Sequence, residues 1–149
     1  MKLAIGSDHA GFNLKRVLME YLDEHGIPYT DFGTYSTQRT DYPEFGIKVA
    51  KAVAKGEYER GILCCGNGIG MSIVANKIKA IRASLCHDTF SARQSRSHND
   101  ANILCLGARV IGPGLAQDIL EIWLSTGFAG GRYGERLEMV RQLEEEVTK

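Results

Sequence analysis

Short apolar runs alternate with amphipathic helical patterns along the whole chain of 149 residues. The runs that have the composition of β-strands lie at 2–6, 27–32, 60–65, 81–86 and 103–107. A segment with helical periodicity follows each of them. Strand–helix units in strict alternation favour a parallel sheet that is covered by helices on both faces.

Several predicted helices have recognisable ends. Asp41, with Glu44 three residues later, resembles a capping box, and Asp88 is placed to cap the fourth helix. A last helix follows a glycine-rich break and forms a C-terminal arm. No linker or repeat divides the chain. We therefore expect one domain over residues 1–149, built as a three-layer α/β/α sandwich. Its five-stranded parallel sheet should be Rossmann-like, with the flavodoxin-like order 2-1-3-4-5.

Composition narrows the function classes. Lys plus Arg and Asp plus Glu number 18 each, whereas a general nucleic-acid binder usually carries a basic excess. The start does not resemble a signal peptide, and no apolar run approaches the ~18 residues of a membrane span. The four cysteines lack a C-x-x-C pair, and no His, Cys and carboxylate group has metal-binding spacing. We expect a cytoplasmic protein with reduced cysteines and no metal, nucleic-acid or membrane partner.

The strongest chemical signal is the loop CGNGIG at residues 65–70, directly after the third strand. Ligands of open parallel sheets bind at the carboxyl ends of the strands. Alternating glycines let successive amides face one point at a helix N-terminus, where an anion is favoured. Cys65, at the mouth of this loop, is a plausible base or nucleophile. Two alternatives stay open, a simple strand–helix turn and a nucleotide-binding loop, although the glycine spacing disfavours the latter.

Three further segments carry candidate functional groups. Asp8 and His9 follow the first strand and suit proton handling or phosphate binding, although Asp8 could simply cap the next helix. His98 is either a general acid–base residue or part of a solvated helix end. Arg132 and Arg136 are four residues apart, on one helix face, and either form a fork for phosphate or pair with nearby glutamates.

Taken together, the chain resembles the type B ribose-5-phosphate isomerases and the related sugar-phosphate isomerases, which include galactose-6-phosphate isomerase subunits. The resemblance covers essentially the whole length and rests on SDHAGF at 7–12, GTYS and RTDYP within 33–43, GILCCGNGIGMSIVANK at 61–77, SRSHNDANIL at 95–104 and GGRYGERL at 130–137. It implies an isomerase that interconverts D-ribose 5-phosphate and D-ribulose 5-phosphate through an enediolate. No metal or organic cofactor is expected.

The resemblance also implies a role for each motif. Cys65 would be the base that moves the proton between C1 and C2, His98 would help to open the sugar ring, and Asp8 would lie near the sugar hydroxyls. The amides that would form the anion hole for the enediolate are those of Gly66, Gly68, Ile69 and Gly70. The residues that would hold the phosphate and the sugar oxygens are His9, Arg132, Arg136, Arg109 and Asn99.

Asn67 departs from the family pattern. Many members have threonine here, and its hydroxyl is thought to assist ring opening, whereas an asparagine amide cannot relay a proton. The alternative substrates are therefore six-carbon sugar phosphates such as allose 6-phosphate or galactose 6-phosphate. Family members are dimers or tetramers with sites between subunits. We accordingly expect a homodimer or homotetramer in which His98 and Asn99 serve the neighbour's pocket.

Overall fold

The computed structural model describes residues 1–147, in which five parallel strands form one sheet. The strands are β1 (Leu3–Ser7), β2 (Tyr29–Asp31), β3 (Arg60–Cys65), β4 (Ala83–Leu85) and β5 (Ile103–Gly107). The helices are α1 (Phe12–Glu24), α2 (Tyr42–Ala54), α3 (Ile69–Ala75), α4 (Thr89–Ser97), α5 (Pro113–Ser125) and α6 (Arg132–Val147). The predicted domain over 1–149 includes residues 148–149, which lie outside the described residues.

The strand order is β2-β1-β3-β5-β4, and every neighbouring pair is parallel. This confirms the three-layer α/β/α sandwich with a flavodoxin-like sheet. The detailed order 2-1-3-4-5 is wrong in its last two strands, because β5 lies between β3 and β4. The burial of the two strands agrees with this order: all five residues of β5 are buried, whereas β4 is short and only half-buried. A short, half-buried strand suits the edge of a sheet.

Two cores lie on opposite faces of this sheet. Leu3 and Ile5 of β1 pack with α1, α4 and α5, whereas Ala4 packs with α2 and α3. Successive side chains of a strand point to opposite faces, so both faces of the central strands are apolar. In β3 the same alternation places Cys64 in the first core and Cys65 in the second.

The helix ends confirm one predicted cap and correct the other. The Oδ1 atom of Asp88 accepts the N–H of Ser91 at 2.6 Å and so caps α4 as predicted. Asp41 precedes α2, but its side chain makes no capping hydrogen bond, so the expected capping box is wrong. The Glu44 carboxylate, which the box would have used, lies 3.4 Å from Nζ of Lys48 instead.

The C-terminal arm is present as α6, a helix without a buried residue. It is tied to the loop before β4, since the carboxylate of Glu144 accepts the N–H of Ala80 at 2.9 Å and Nζ of Lys79 lies 2.6 Å from Glu145. Val140 and Leu143 of the arm are more than half exposed. Among the described residues, no helix has the length and apolar character needed to span a bilayer.

Candidate active site

A cavity of about 240 Å³ opens at the carboxyl end of the sheet, where β1, β3 and β5 finish side by side. Its lining comes from the end of β3, from the loops after these strands and from the starts of α2 and α3. The lining residues are Asp8, Tyr42, Cys65, Gly66, Asn67, Gly70, Arg109 and Val110. The structure thus brings together six of the residues singled out in the sequence, at the edge where parallel sheets bind ligands.

Cys65 is the last residue of β3, and its side chain is almost completely buried. Its Sγ atom accepts a hydrogen bond from the N–H of Gly68 at 3.2 Å. Gly68 has a left-handed backbone with φ of +78°, and a Cβ atom added there would lie 2.4 Å from the side chain of Leu85. Only glycine therefore lets this turn bring an amide to the sulfur.

The other three cysteines, Cys64, Cys86 and Cys105, are core residues. Burial raises the pKa of Cys64 and of Cys105, and it raises the pKa of Cys86 to about 11. These thiols therefore stay neutral at physiological pH. Although Cys64 is adjacent to Cys65, it faces α1 and α5 and does not line the cavity.

The loop amides are partly engaged inside the loop itself. The N–H of Gly68 donates to Cys65, and the N–H of Ile69 donates to Oδ1 of Asn67 at 3.0 Å. Gly70 lies in the first turn of α3, where backbone N–H groups have no acceptor within the helix. A Cβ atom at Gly70 would lie 2.7 Å from the ring of Tyr42, so this glycine lets the tyrosine close over the loop.

Asp8 and His9 are both held by backbone groups. The Oδ1 atom of Asp8 accepts the N–H of Gly11 at 2.9 Å, so Asp8 supports the start of α1 and also lines the cavity. The N–H of His9 donates to Oγ1 of Thr40 at 3.0 Å, and its Nδ1 accepts the N–H of Thr40 at 3.1 Å. A neutral His9 then carries its proton on Nε2, which makes Nε2 a donor for an anion. Thr40 belongs to the RTDYP motif, but the sequence assigned it no role.

A buried ion pair supports the segment that leads to Thr40. Lys15 of α1 is 1% exposed, and its Nζ lies 2.6 Å from Oδ1 of Asp31. The same ammonium group donates to the carbonyl oxygen of Thr34, and the N–H of Gly33 donates to Asp31 at 2.9 Å. Sequence reasoning missed Lys15 because its position in the helix showed no sign of a buried charge.

The remaining predicted residues lie away from this cavity. His98 ends α4 shortly before β5 begins, so it lies at the amino edge of the sheet, opposite Cys65. Its ring stacks on Tyr133, with 3.9 Å between ring centroids. Arg132 donates to the hydroxyl of Tyr133 at 2.9 Å, and Arg136 lies 5.7 Å from the same ring. The sequence did not single out Tyr133, around which this basic cluster is built.

Asn99 directly follows His98 but lines a different surface. It lines a groove of about 560 Å³ between α6 and the segment around β4, together with Arg82 and Leu137. Like His98, Arg132 and Arg136, it is absent from the lining of the Cys65 cavity. The predicted residues therefore form two groups within one chain, one at each edge of the sheet.

Comparison with known proteins agrees with this geometry. Residues 3–140 match the family model described as Ribose/Galactose Isomerase. Ribose-5-phosphate isomerase B of Escherichia coli is 47% identical over 144 residues, which cover 97% of each chain. D-Erythrulose-4-phosphate isomerase of Pectobacterium atrosepticum is 44% identical over 141 residues, covering 94% of this chain and 93% of its own.

A solved structure is also similar to this chain in both sequence and fold. Ribose-5-phosphate isomerase B of Clostridium thermocellum superimposes with a TM-score of 0.97 at 50% identity, over 99% of each chain. These matches confirm the resemblance that the spaced motifs indicated, and they extend over both edges of the sheet. The chain therefore belongs to the Ribose/Galactose Isomerase family, and it is an enzyme that isomerises sugar phosphates.

Proposed function

We propose that the enzyme interconverts D-ribose 5-phosphate and D-ribulose 5-phosphate, with Cys65 as the base. The position of Cys65 supports this reaction, since its sulfur lies beside the amides of a glycine loop in a cavity that also contains Arg109. Aldose–ketose isomerisation needs a base, donors for the enediolate oxygen and an anchor for the phosphate. Cys65, the loop amides, and Arg109 with His9 supply these three parts.

The proton transfer follows from this arrangement. The Cys65 thiolate takes the proton from C2 of the open aldose, and the electron pair of that C–H bond forms the C1–C2 double bond. The negative charge moves to the oxygen on C1, where the loop amides of Gly66 and Gly70 would stabilise it. A proton passes from the hydroxyl on C2 to the oxygen on C1, which moves the charge to the oxygen on C2. The thiol then returns its proton to C1 as the C2 carbonyl forms, which yields the ketose and regenerates the thiolate. Asp8, held by the N–H of Gly11, supports the sugar hydroxyls.

A second copy of the chain would complete the site. His98, Asn99, Arg132 and Arg136 do not line the cavity of their own chain, although the proposed chemistry needs a ring-opening group and more phosphate ligands. In a homodimer or homotetramer, these residues of one subunit would face the Cys65 cavity of its neighbour. An interface with two-fold symmetry gives each subunit's cavity the same complement.

Hybrid dimers test this shared site. We expect the Cys65→Ala and His98→Ala variants each to be strongly impaired, and an unfolded and refolded equal mixture to regain about one quarter of wild-type activity. Half of the randomly paired dimers are hybrids, and each hybrid has one intact site of its two. A mixture of Cys65→Ala with His9→Ala is the control, because both residues lie at the carboxyl edge of the sheet in the same chain. Recovery in the control, or none with His98→Ala, would contradict the shared site.

Substrate choice depends on Asn67, which lines the cavity with its Oδ1 turned to the N–H of Ile69. The experiment compares initial rates with ribose 5-phosphate, allose 6-phosphate, galactose 6-phosphate and erythrulose 4-phosphate, without added metal. We expect the pentose phosphate to react fastest. A faster hexose or tetrose phosphate would keep the mechanism and change the substrate. If none reacts but a nucleotide binds without need of Cys65, the chain is a binding module instead.

We also infer that the enzyme acts as a single domain in the cytoplasm. All four cysteines are free thiols, which favours a reducing compartment. Within residues 1–147, one sheet and its two cores connect every strand, from β1 to β5.

A further inference from the structure

His87, just after β4, makes a hydrogen bond to the backbone of the neighbouring strand. Its Nε2 atom accepts the N–H of Gly107, the last residue of β5, at 3.0 Å. An imidazole can accept at Nε2 only while that nitrogen carries no proton, so the ring is neutral with its proton on Nδ1. His87 does not line the Cys65 cavity.

Gly107 begins the segment that supports the Cys65 loop. A Cβ atom added at Gly107 would lie 2.7 Å from the Cα atom of Asn67, so the two backbones are in direct contact. The next two residues continue this support, since Ala108 donates its N–H to the carbonyl of Cys65 and Arg109 donates to that of Gly66, both at 2.9 Å. Close-packed backbones transmit a displacement rather than absorb it.

We propose that His87 is a positioning residue for the isomerase reaction: by accepting the Gly107 N–H, it holds segment 107–109 against the loop that presents Cys65. The inference rests on the proposed role of Cys65. His87 acts through Gly107 and touches neither the substrate nor the sulfur. Its loss would move the loop by a fraction of an ångström, and misplacement on this scale lowers rates strongly.

The charge state of His87 controls this hydrogen bond. Burial lowers the pKa of His87, and the adjacent Asp88 opposes the shift while its carboxylate caps α4. The ionisable groups on the adjoining strands, Cys86 and Cys105, stay neutral because burial raises the pKa of each. The folded protein therefore binds the His87 proton more weakly than the unfolded chain does. The bond is intact at neutral pH and is lost as pH falls below the ordinary histidine range.

Two variants and one control test the proposal. His87→Ala removes the acceptor, whereas His87→Gln offers a neutral amide oxygen at a similar reach. His25→Gln is the control, since His25 is an exposed histidine at the far end of α1. The measurements are kcat from about pH 5.5 to 8 and amide hydrogen exchange at Gly107 and Gly68 by NMR. We expect His87→Ala to lower kcat about tenfold at neutral pH and to speed both exchange rates about tenfold.

The glutamine variant separates positioning from mere stability. We expect His87→Gln to restore most of kcat and both exchange rates, and to flatten the fall of kcat in acid relative to the wild type and His25→Gln. Wild-type behaviour of His87→Ala, or an unchanged acid limb in His87→Gln, would overturn the proposal. If His87→Ala does not fold, the fall of kcat in acid, measured for His87→Gln, tests the proposal alone. If the wild type isomerises no sugar phosphate, the proposed function fails, yet the exchange rates still show whether His87 holds the loop.

Discussion

Replacing Cys65 by alanine is expected to lower kcat by about 10³-fold while the melting temperature stays nearly unchanged. A positioned general base contributes about 10²- to 10⁴-fold to a rate, and Cys65 is the proposed carrier of the proton in both directions. The substitution removes one sulfur atom and one hydrogen bond from Gly68, so the fold should persist. Initial rates of ketose formation and a thermal unfolding curve measure the two quantities.

Cys64→Ala is the matched control, because it removes the same atom from the adjacent residue of β3. Cys64 is fully buried on the opposite face of the sheet, and it does not line the cavity. We expect this variant to keep turnover within about twofold of the wild type and to lose about 1 kcal/mol of stability. The role of Cys65 would be refuted if Cys65→Ala kept more than a tenth of wild-type turnover.

Replacing Lys15 by methionine is expected to lower the free energy of unfolding by about 3 kcal/mol. Removing one member of a buried ion pair leaves the other charge without its partner, and such losses are typically about 3–5 kcal/mol. We choose the lower end because Asp31 is 21% exposed and keeps the hydrogen bond from the N–H of Gly33. Urea unfolding at fixed protein concentration measures the change as a shift of the midpoint at constant slope.

Two further variants make this test specific. Lys48→Met removes a lysine whose ion pair with Glu44 is at least half exposed at both ends, so we expect a change within about 0.5 kcal/mol. The double variant Lys15→Met with Asp31→Asn should recover part of the loss, because it leaves no unpaired buried charge. Equal effects of Lys15→Met and Lys48→Met would show that the buried pair adds nothing to stability.

Local pattern was enough to predict the elements and the central loop. The bounds of β3 and β5 match the predicted runs, and the loop at 65–70 lies where the parallel-sheet rule places ligands. The order of the last two strands was beyond this reasoning, because right-handed crossovers permit either order. The two possible strand orders differ in which face of the sheet carries α4. In the folded protein Ala92 places α4 in the same core as α1 and α5.

Contacts between segments that are distant in the sequence were the other feature that the sequence did not predict. The bonds between His9 and Thr40 join residues 31 positions apart, and no periodicity reports such a pair. The motif containing His98 was recognised, but its distance from Cys65 follows only from the direction of α4 between two parallel strands. A residue just before a parallel strand lies at the amino edge of the sheet. The predicted topology was therefore sufficient to locate His98 at the edge opposite Cys65.

The hydrogen bond between Asn67 and the N–H of Ile69 means that two side chains of the loop use two different backbone amides. The side chain at position 67 is turned toward an amide of its own loop, whereas the sulfur of Cys65 is held by a different amide, that of Gly68. A substitution at position 67 therefore changes the contact with the Ile69 amide and leaves the hydrogen bond to the sulfur of the proposed base, Cys65, in place. Position 67 is thus the place in this loop where we expect substitution to change the proposed substrate preference while the proposed base is kept.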